Sequence, residues 1–373
     1  MNDSLVEMLG CVTDARREQA KRYSLANILV FCILGFLCGA KSCKALCSFI
    51  EERFALLQAA FPSKMKRAPA PSTLWRIISL VDGGTLEAVF RKHAATRHAA
   101  LGGGPGEVVA HDGKSLKGSY DTANDKKMSR VLRAFAVGTE IILGHIAIMV
   151  KSNEIPAMQA LVSELGLAGV LCTADAMHCQ IKIIEAVKAS GGEALLQVKG
   201  NQPSLEAAFE ALAAGHGPDA CYVETGKIRR NRQEKRVVEV FKAGSILDLP
   251  EWRTDVVEAV RVTRTVQRQD VATGWKWRCT REVAWYASTR QGSSAEHYAG
   301  ATRGHWGVEN RVHYVLDVSM HEDASRVRKS PTILSILRSF ALNILRFNKV
   351  NNVADALWRN AMNLNRVLAY GGI

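Results

Sequence analysis

Apolar positions recur at helical spacing through the first hundred residues. Ser24 precedes the most apolar segment, Ile28 to Ala40, as a hydroxyl able to cap it, and Ser42 opens a second run through Leu46, Phe49, Ile50 and Phe54. Pro69, Pro71 and Ser72 break the chain before a third helix that begins Thr73-Leu74-Trp75-Arg76-Ile77-Ile78. Four glycines and a proline between Leu101 and Gly106 read as a linker.

Beyond that linker the pattern changes to short apolar runs. Val108 to His111, Val131 to Val137 and Ile141 to Val150 predict three strands, the last two joined at Gly138-Thr139-Glu140. A helix from about Ile155 to Leu165 leads to a strand at Val170 to Ala174, and a helix from about Cys179 to Ala189 leads to a strand at Ala194 to Val198. Three meandering strands followed by strand–helix units predict an α/β fold, a mixed sheet flanked by helices. A dinucleotide fold alternates in a similar way. Its phosphate loop would have to join a strand to a helix, whereas the glycine cluster here precedes a strand. From about Cys221 to Thr289 the sequence is β-rich and basic, and from Ser294 it returns to helix, through Ile333 to Leu345 and a further short helix at the end. The pattern thus divides the chain into a helical region over 1–100, a strand–helix region over 101–220, a β-rich basic region over 221–292 and a helical region over 293–373.

Composition narrows the partner. With 47% hydrophobic and 23% charged residues the chain is an ordinary globular one, long enough for two or three domains or for one large core with an insertion. The 49 basic residues against 36 acidic ones give a net charge of +13, which favours a polyanion, nucleic acid before membrane. Ile28 to Ala40 is too short to span a bilayer and no charged-then-apolar leader opens the chain, so a cytoplasmic protein without a membrane partner is expected. Nine cysteines fit that compartment as reduced thiols. Cys38, Cys43 and Cys47 lie close together, but without a CxxC pair or a local histidine they read as small hydrophobes and not as zinc ligands.

The positive charge is clustered. Arg16, Arg17, Lys21 and Arg22, then Lys64, Lys66 and Arg67, leave basic faces in the helical region, either solvated or in contact with DNA. In the β-rich region Trp275, Trp277 and Trp285 alternate with Lys276, Arg278 and Arg281. Stacking faces beside cations suit a distorted or single-stranded DNA end, and the same tryptophans could equally fill the core of a small β-subdomain.

The chemistry gathers on acids. In Glu107 to Gly118 a short apolar run carries one carboxylate, Asp112, to its last position; Gly113 is expected to turn the chain, and Lys114 and Lys117 follow. Asp175, in Thr173-Ala174-Asp175-Ala176-Met177, closes a later strand. If the two strands are parallel neighbours, both acids emerge at one edge; acids at strand ends also cap helices and turns. Two-metal phosphoryl transfer needs about three carboxylates on cations roughly 3.5–4 Å apart. The third candidate is Glu309, in the stretch Arg303 to Asp317, where Trp306, Glu309 and His313 share a helix face and Arg303 lies on roughly that side. A glutamate between a tryptophan and a histidine is either a ligand or an internal hydrogen-bond partner. The residues point to a metal-dependent enzyme acting on DNA.

These motifs resemble those of the bacterial DDE transposases of the H-repeat-associated insertion-sequence family. The resemblance rests on Asp112-Gly113-Lys114-Ser115-Leu116-Lys117-Gly118, Lys151-Ser152-Asn153-Glu154-Ile155, Thr173 to Gln180, Lys199-Gly200-Asn201-Gln202 and His305-Trp306-Gly307-Val308-Glu309-Asn310. Asp14-Ala15-Arg16-Arg17 and the helical first hundred residues resemble that family's associated N-terminal domain, so the likeness covers most of the chain in order. It implies a ribonuclease H-like core, interrupted by the β-rich insertion before the helix with the last acid. Asp112, Asp175 and Glu309 take the DDE positions and hold two Mg²⁺ ions, with Mn²⁺ as a substitute. The implied activity is cleavage at transposon ends and strand transfer into target DNA. The implied partners are double-stranded DNA, as terminal inverted repeats and target, and further copies of the chain in a homo-oligomer, in the cytoplasm on the nucleoid. Lys114 and Lys117 beside the first acid, Lys199, Asn201 and Gln202 at the edge of the site, and Arg303, His305, Trp306 and His313 around the last acid are the expected DNA or phosphate contacts. In one respect the sequence departs from the family. Where many relatives carry Tyr, Arg and Lys around the final Glu, this chain has Thr302, His305 and Leu316, so that Arg303, His313 and Tyr298 are candidates to replace them. Asp317 and the Glu322-Asp323 pair compete for the third acid. A nuclease of the same fold and a non-catalytic DNA-binding relic are the alternatives.

Overall fold

A computed structural model describes residues 4–120, 127–148, 154–244, 247–269 and 274–373. Lys151, Ser152 and Asn153 of the family motif, and the last two positions of the expected third strand, lie outside the described residues. The helical first hundred residues form α1 (Leu5–Gly10), α2 (Leu25–Leu37), α3 (Cys43–Glu52), α4 (Phe54–Ala60), α5 (Pro71–Ser79) and α6 (Gly83–Ala100). Then come β1 (Val108–Leu116), β2 (Ser129–Ala136), β3 (Ile141–Ile148), α7 (Glu154–Leu165), β4 (Leu171–Ala174), α8 (Ile181–Ala189), β5 (Glu193–Val198) and α9 (Pro203–Gly215). The basic β-rich stretch supplies β6 (Ala220–Thr225), β7 (Arg232–Lys242), α10 (Pro250–Arg253), β8 (Glu258–Arg268) and β9 (Arg278–Ser288). It is followed by α11 (Ala295–Val308), π-helical turns over 309–313 and 315–319, α12 (Pro331–Phe347), α13 (Val353–Met362) and α14 (Leu364–Leu368).

The chain divides into two compact units, one of residues 1–104, 113–157 and 307–373, the other of 105–112 and 158–306. β1 therefore passes from the second unit into the first at the Asp112–Gly113 peptide. In the first unit the centre is α2, whose side chains are buried round nearly the whole circumference, as an all-apolar helix requires. Ser24 and Ser42 cap α2 and α3, accepting hydrogen bonds from the backbone N–H groups of Asn27 at 3.4 Å and Ala45 at 3.2 Å. The expected apolar run at Ile333 to Leu345 becomes the body of α12, buried on all sides and packed on α2, α6 and β3. β2 and β3 pair antiparallel through a turn in which Glu140 takes a left-handed conformation.

In the second unit β1, β4 and β5 are parallel neighbours, with Val108 to His111 opposite Leu171 to Ala174 and Leu171 to Ala174 opposite Glu193 to Leu196. β9 runs antiparallel to β5, and β8, β7 and β6 follow antiparallel. The β-rich stretch thus extends the central sheet. Its inner face buries Val238, Val240, Val260, Val262 and Tyr286 against Tyr298 and Ala299 of α11. Trp285 is buried beside Phe209 and Phe241, whereas Trp275 and Trp277 are exposed, so the two readings of these tryptophans divide between them.

The order 3-2-1 in the first unit and 1-4-5 in the second, with β1 common to both, is the one a ribonuclease H-like core requires, and the fold is a mixed α/β sheet flanked by helices. β1 corrects one expectation: it does not turn at Gly113 but continues to Leu116. Gly113 serves close approach instead. A Cβ there would lie 2.7 Å from Oε2 of Glu154, the first residue of α7. Gly118 has the same reason, since its Cβ would stand 2.2 Å from the carbonyl oxygen of Ser325. Among the described residues no helix is long and apolar enough to cross a membrane. The cysteines are free, and burial pushes the thiols of Cys38, Cys172 and Cys179 up to about 12, as inert small hydrophobes.

Candidate active site

Parallel register puts the first two acids at one edge. His111 pairs with Ala174, so Asp112 and Asp175 come next on each chain segment, Asp175 just past the end of β4 and Asp112 where the parallel pairing of β1 stops, at the carboxyl side where ligands of parallel strands sit. Asp175 precedes a 3₁₀ turn over 176–178, yet its side chain makes no capping hydrogen bond. Its Oδ1 is buried without a hydrogen-bond partner, and the Nε2 of His178 is 3.8 Å away. A buried carboxylate oxygen that serves neither as cap nor as acceptor calls for a physical reason, and a bound cation would supply one.

The segment after β5 braces this turn. Asn201 donates from its amide to the carbonyl oxygen of Ala176 at 2.6 Å, and Gln202 donates to that of Cys179 at 2.9 Å. The sequence had suggested phosphate contacts for both amides; in the structure they hold the backbone that presents Asp175. Lys199 is exposed, with no ion pair among the described residues. Behind the acids lies a group of buried histidines that sequence reasoning did not assemble. Burial, then the neighbouring His178, pushes His111 down to about 3, and the same two causes push His305 down to about 4. Both imidazoles are therefore neutral near pH 7. The Nδ1 of His305 lies 3.1 Å from the Thr173 hydroxyl on β4, so this residue, expected at a phosphate, faces inward. Arg303 is held by both oxygens of Glu224, at 2.6 Å for the Nη1–Oε1 bond, which neutralises its charge. Trp306 is exposed and donates to the hydroxyl of buried Tyr286.

In the first unit the continuation of β1 meets a cluster of charges. Lys114 pairs with Asp317 and lies 3.7 Å from Asp323, and Lys117 reaches Asp323 at 3.0 Å. Burial works against the Lys114 ammonium, but the hydrogen bond and charge of Asp317, with Asp323 and Glu309, outweigh it and raise the pKa. Glu322 is fully buried and takes hydrogen bonds from Arg133 at 2.8 and 3.0 Å and from Ser335 at 2.8 Å. Glu309 differs from these three competitors. It is exposed on the first π-helical turn, with no Lys or Arg ion pair among the described residues, and its Oε2 lies 3.1 Å from Nδ1 of buried His313. Burial, then the charges of Arg133 and Lys114, hold His313 well below the ordinary imidazole range despite Glu309, so the partner of Glu309 is a neutral ring. Tyr298, the other substitute considered, is buried, donating to Glu258 at 2.6 Å.

Comparison with known proteins bears on the same segments. Residues 103–344 match the family described as Transposase DDE domain, and residues 6–94 match the one described as DDE_Tnp_1-associated. The chain is 30% identical over 352 residues to "Putative transposase YncI" of Escherichia coli O157:H7, covering 92% of this chain and 87% of that one. It is 29% identical over 353 residues to "H repeat-associated putative transposase YhhI" of Escherichia coli strain K12, covering 93% and 91%. Among solved structures it matches a piggyBac transposase synaptic complex with hairpin DNA at 10% identity and a TM-score of 0.45, over 98% of this chain and 78% of that one.

Proposed function

The chain belongs to the family of transposase DDE domains, and we propose that it moves an insertion sequence by Mg²⁺-dependent cleavage at the element's ends and joining of those ends to target DNA. In this reading Asp112, Asp175 and Glu309 hold two Mg²⁺ ions, for which Mn²⁺ substitutes. When bound, the ions supply an activated water or hydroxyl and stabilise the leaving oxygen of the phosphodiester. The donor set suits them, because hard divalent cations select carboxylate oxygen. One such oxygen, Oδ1 of Asp175, is buried without a hydrogen-bond partner.

The observation that carries the reading is the parallel register that sets Asp112 and Asp175 at the same edge of β1 and β4. Each neighbour then has a task. Asn201 and Gln202 fix the turn that presents Asp175. His313, being neutral, orients Glu309 without cancelling its charge. Lys114 lies two residues beyond Asp112 on the same strand face and within electrostatic range of Glu309, where its charge would draw a phosphate. Lys117 and Lys199 would add to that attraction at the rim. The partners in this reading are double-stranded terminal repeats and target DNA, engaged by a homo-oligomer on the nucleoid.

A plasmid carrying the element's terminal repeats tests it. With Mg²⁺ the protein should cut at the repeats and join the freed ends to a target plasmid. Asp112→Asn, Asp175→Asn and Glu309→Gln should each abolish cutting while DNA binding persists, and Asp317→Asn and Asp323→Asn should still cut. Cutting that survives Asp112→Asn rejects the assignment. Cutting without joined products makes the protein a nuclease, and binding without cutting makes it a DNA-binding protein alone.

A further inference from the structure

The N-terminal helices enclose a cavity of about 1170 Å³, lined by the loop before α2, the loop between α4 and α5, and the face of α5 that carries Thr73, Arg76, Ile77 and Leu80. None of the candidate acids lines it. Its wall is cationic. Arg16 and Lys21 have partners of their own, Asp14 at 2.6 Å and Glu18 at 2.5 Å. Arg17, Arg22, Lys64, Lys66, Arg67 and Arg76 also line it; these six are exposed and have no ion pair among the described residues, and no acid faces them across the cavity.

Gathering six like charges on a concave wall raises the energy of the protein alone, since a cleft with low-dielectric walls concentrates their field. Elsewhere this chain neutralises such charge from within, as Arg261 with Glu239 and Arg264 with Glu234 illustrate. Here the compensation must come from outside. A small-molecule site is oriented by a few convergent polar groups, whereas this wall carries six cations that have no ion pair among the described residues. Cations from three separate chain segments suit a ligand with charges repeated along its length. We propose that this cleft grips the phosphate backbone of duplex DNA, away from the acid cluster and without reading bases. The choice of DNA among polyanions rests on the transposase reading above. The grip gives the N-terminal helices a role as anchor for the substrate.

The experiment uses the full chain and fluorescence anisotropy of two labelled duplexes of equal length, one with the terminal repeat and one scrambled, across a salt series. The triple variant Arg22→Gln, Arg67→Gln, Arg76→Gln is compared with a control of equal charge change at exposed positions elsewhere, Lys182→Gln, Lys349→Gln, Arg366→Gln. Each phosphate contact contributes about 0.9 to the slope of log K against log salt, so the cleft variant should lose about 2.7 from that slope and bind about 10- to 100-fold more weakly. The loss should be equal on both duplexes, and the control should keep the wild-type slope. The inference falls if the cleft variant binds as wild type, or if the control loses as much. A cleft variant that binds normally while Asp112→Asn abolishes cutting removes this inference alone. Wild-type protein that does not bind duplex DNA removes both readings.

Discussion

Replacing Gly113 by alanine puts a methyl carbon 2.7 Å from Oε2 of Glu154 and 3.1 Å from its Cδ and Oε1. Glu154 has little room to retreat, because it is 3% exposed and its carboxylate pairs with Arg130. The gap must open from 2.7 Å to an ordinary contact of 3.4 Å or more, by movement of the carboxylate or of β1. Overpacking of this kind costs about 1–3 kcal/mol, and for a chain of this length that lowers the melting temperature by roughly 1–4 °C. The second effect is on chemistry. Gly113 is bonded to Asp112, so any share of the shift taken by β1 moves the acid, and a misplacement near 1 Å costs about 100-fold in rate. Gly113→Ala should therefore cut DNA about 10- to 100-fold more slowly in Mg²⁺ while binding it as tightly as wild type. Glu154→Asp draws the carboxylate back by one methylene and should rescue the alanine in both stability and cutting. The double variant should be more stable than the sum of the single effects by about 1 kcal/mol or more. Strictly additive effects, or a Gly113→Ala protein that melts and cuts like wild type, would refute the reasoning.

Asn201→Ala removes the 2.6 Å bond to the carbonyl of Ala176 and loosens the turn under Asp175. The loss of about 1 kcal/mol should appear as a roughly fivefold slower cut and a higher Mg²⁺ requirement at unchanged DNA affinity, and an unchanged Mg²⁺ titration would remove the positioning role. Burial holds His93 and His305 down to about 4 in the folded chain, against about 6.5 when unfolded. The unfolded chain therefore binds more protons on these rings, and stability should fall as pH drops from about 6.5 towards 4, being fully present above that window. His93→Gln should flatten part of this fall in a melting series, because glutamine keeps a donor for the carbonyl of Gly372 without titrating.

Period and punctuation made much of this fold legible. The apolar runs at Ile28 to Ala40 and Ile333 to Leu345 found the two helices that pack together at the centre of the first unit, and the run Val108 to His111 found the parallel part of β1. α9 could have been read too, from Pro203 as a first-turn residue and from Leu205, Phe209 and Leu212 at helical spacing. Other features depend on neighbours distant in sequence. Gly113 carries a turn signal, and only the approach of Glu154 from forty residues on gives its real use. Asn201 and Gln202 carry the donor chemistry of a phosphate site, and the carbonyl oxygens that occupy them belong to a turn more than twenty residues earlier. The sharing of roles among Trp275, Trp277 and Trp285 depends on which of them the sheet turns towards Phe209 and Phe241.

Four acids stand close together in the last third of the sequence, and the cation each one keeps separates them. Asp317 and Asp323 are tied to Lys114 and Lys117, and Glu322 is enclosed by Arg133 and Ser335. Withdrawing a carboxylate from a buried pair strands its partner, a loss of about 3–5 kcal/mol when the pair is fully buried. A metal ion would have to overcome that before any coordination helped. Among the described residues Glu309 makes no Lys or Arg ion pair and its hydrogen-bond partner is the neutral His313, so turning its carboxylate to a ligand forfeits about 1 kcal/mol for one hydrogen bond. An exposed acid held by an uncharged donor can take up an ion and release it, whereas an acid neutralised by lysine is already engaged. On that ground we propose Glu309 as the third acid, with the lysine-bound aspartates as its electrostatic frame: they would keep Lys114 charged and in place on the strand that also bears Asp112.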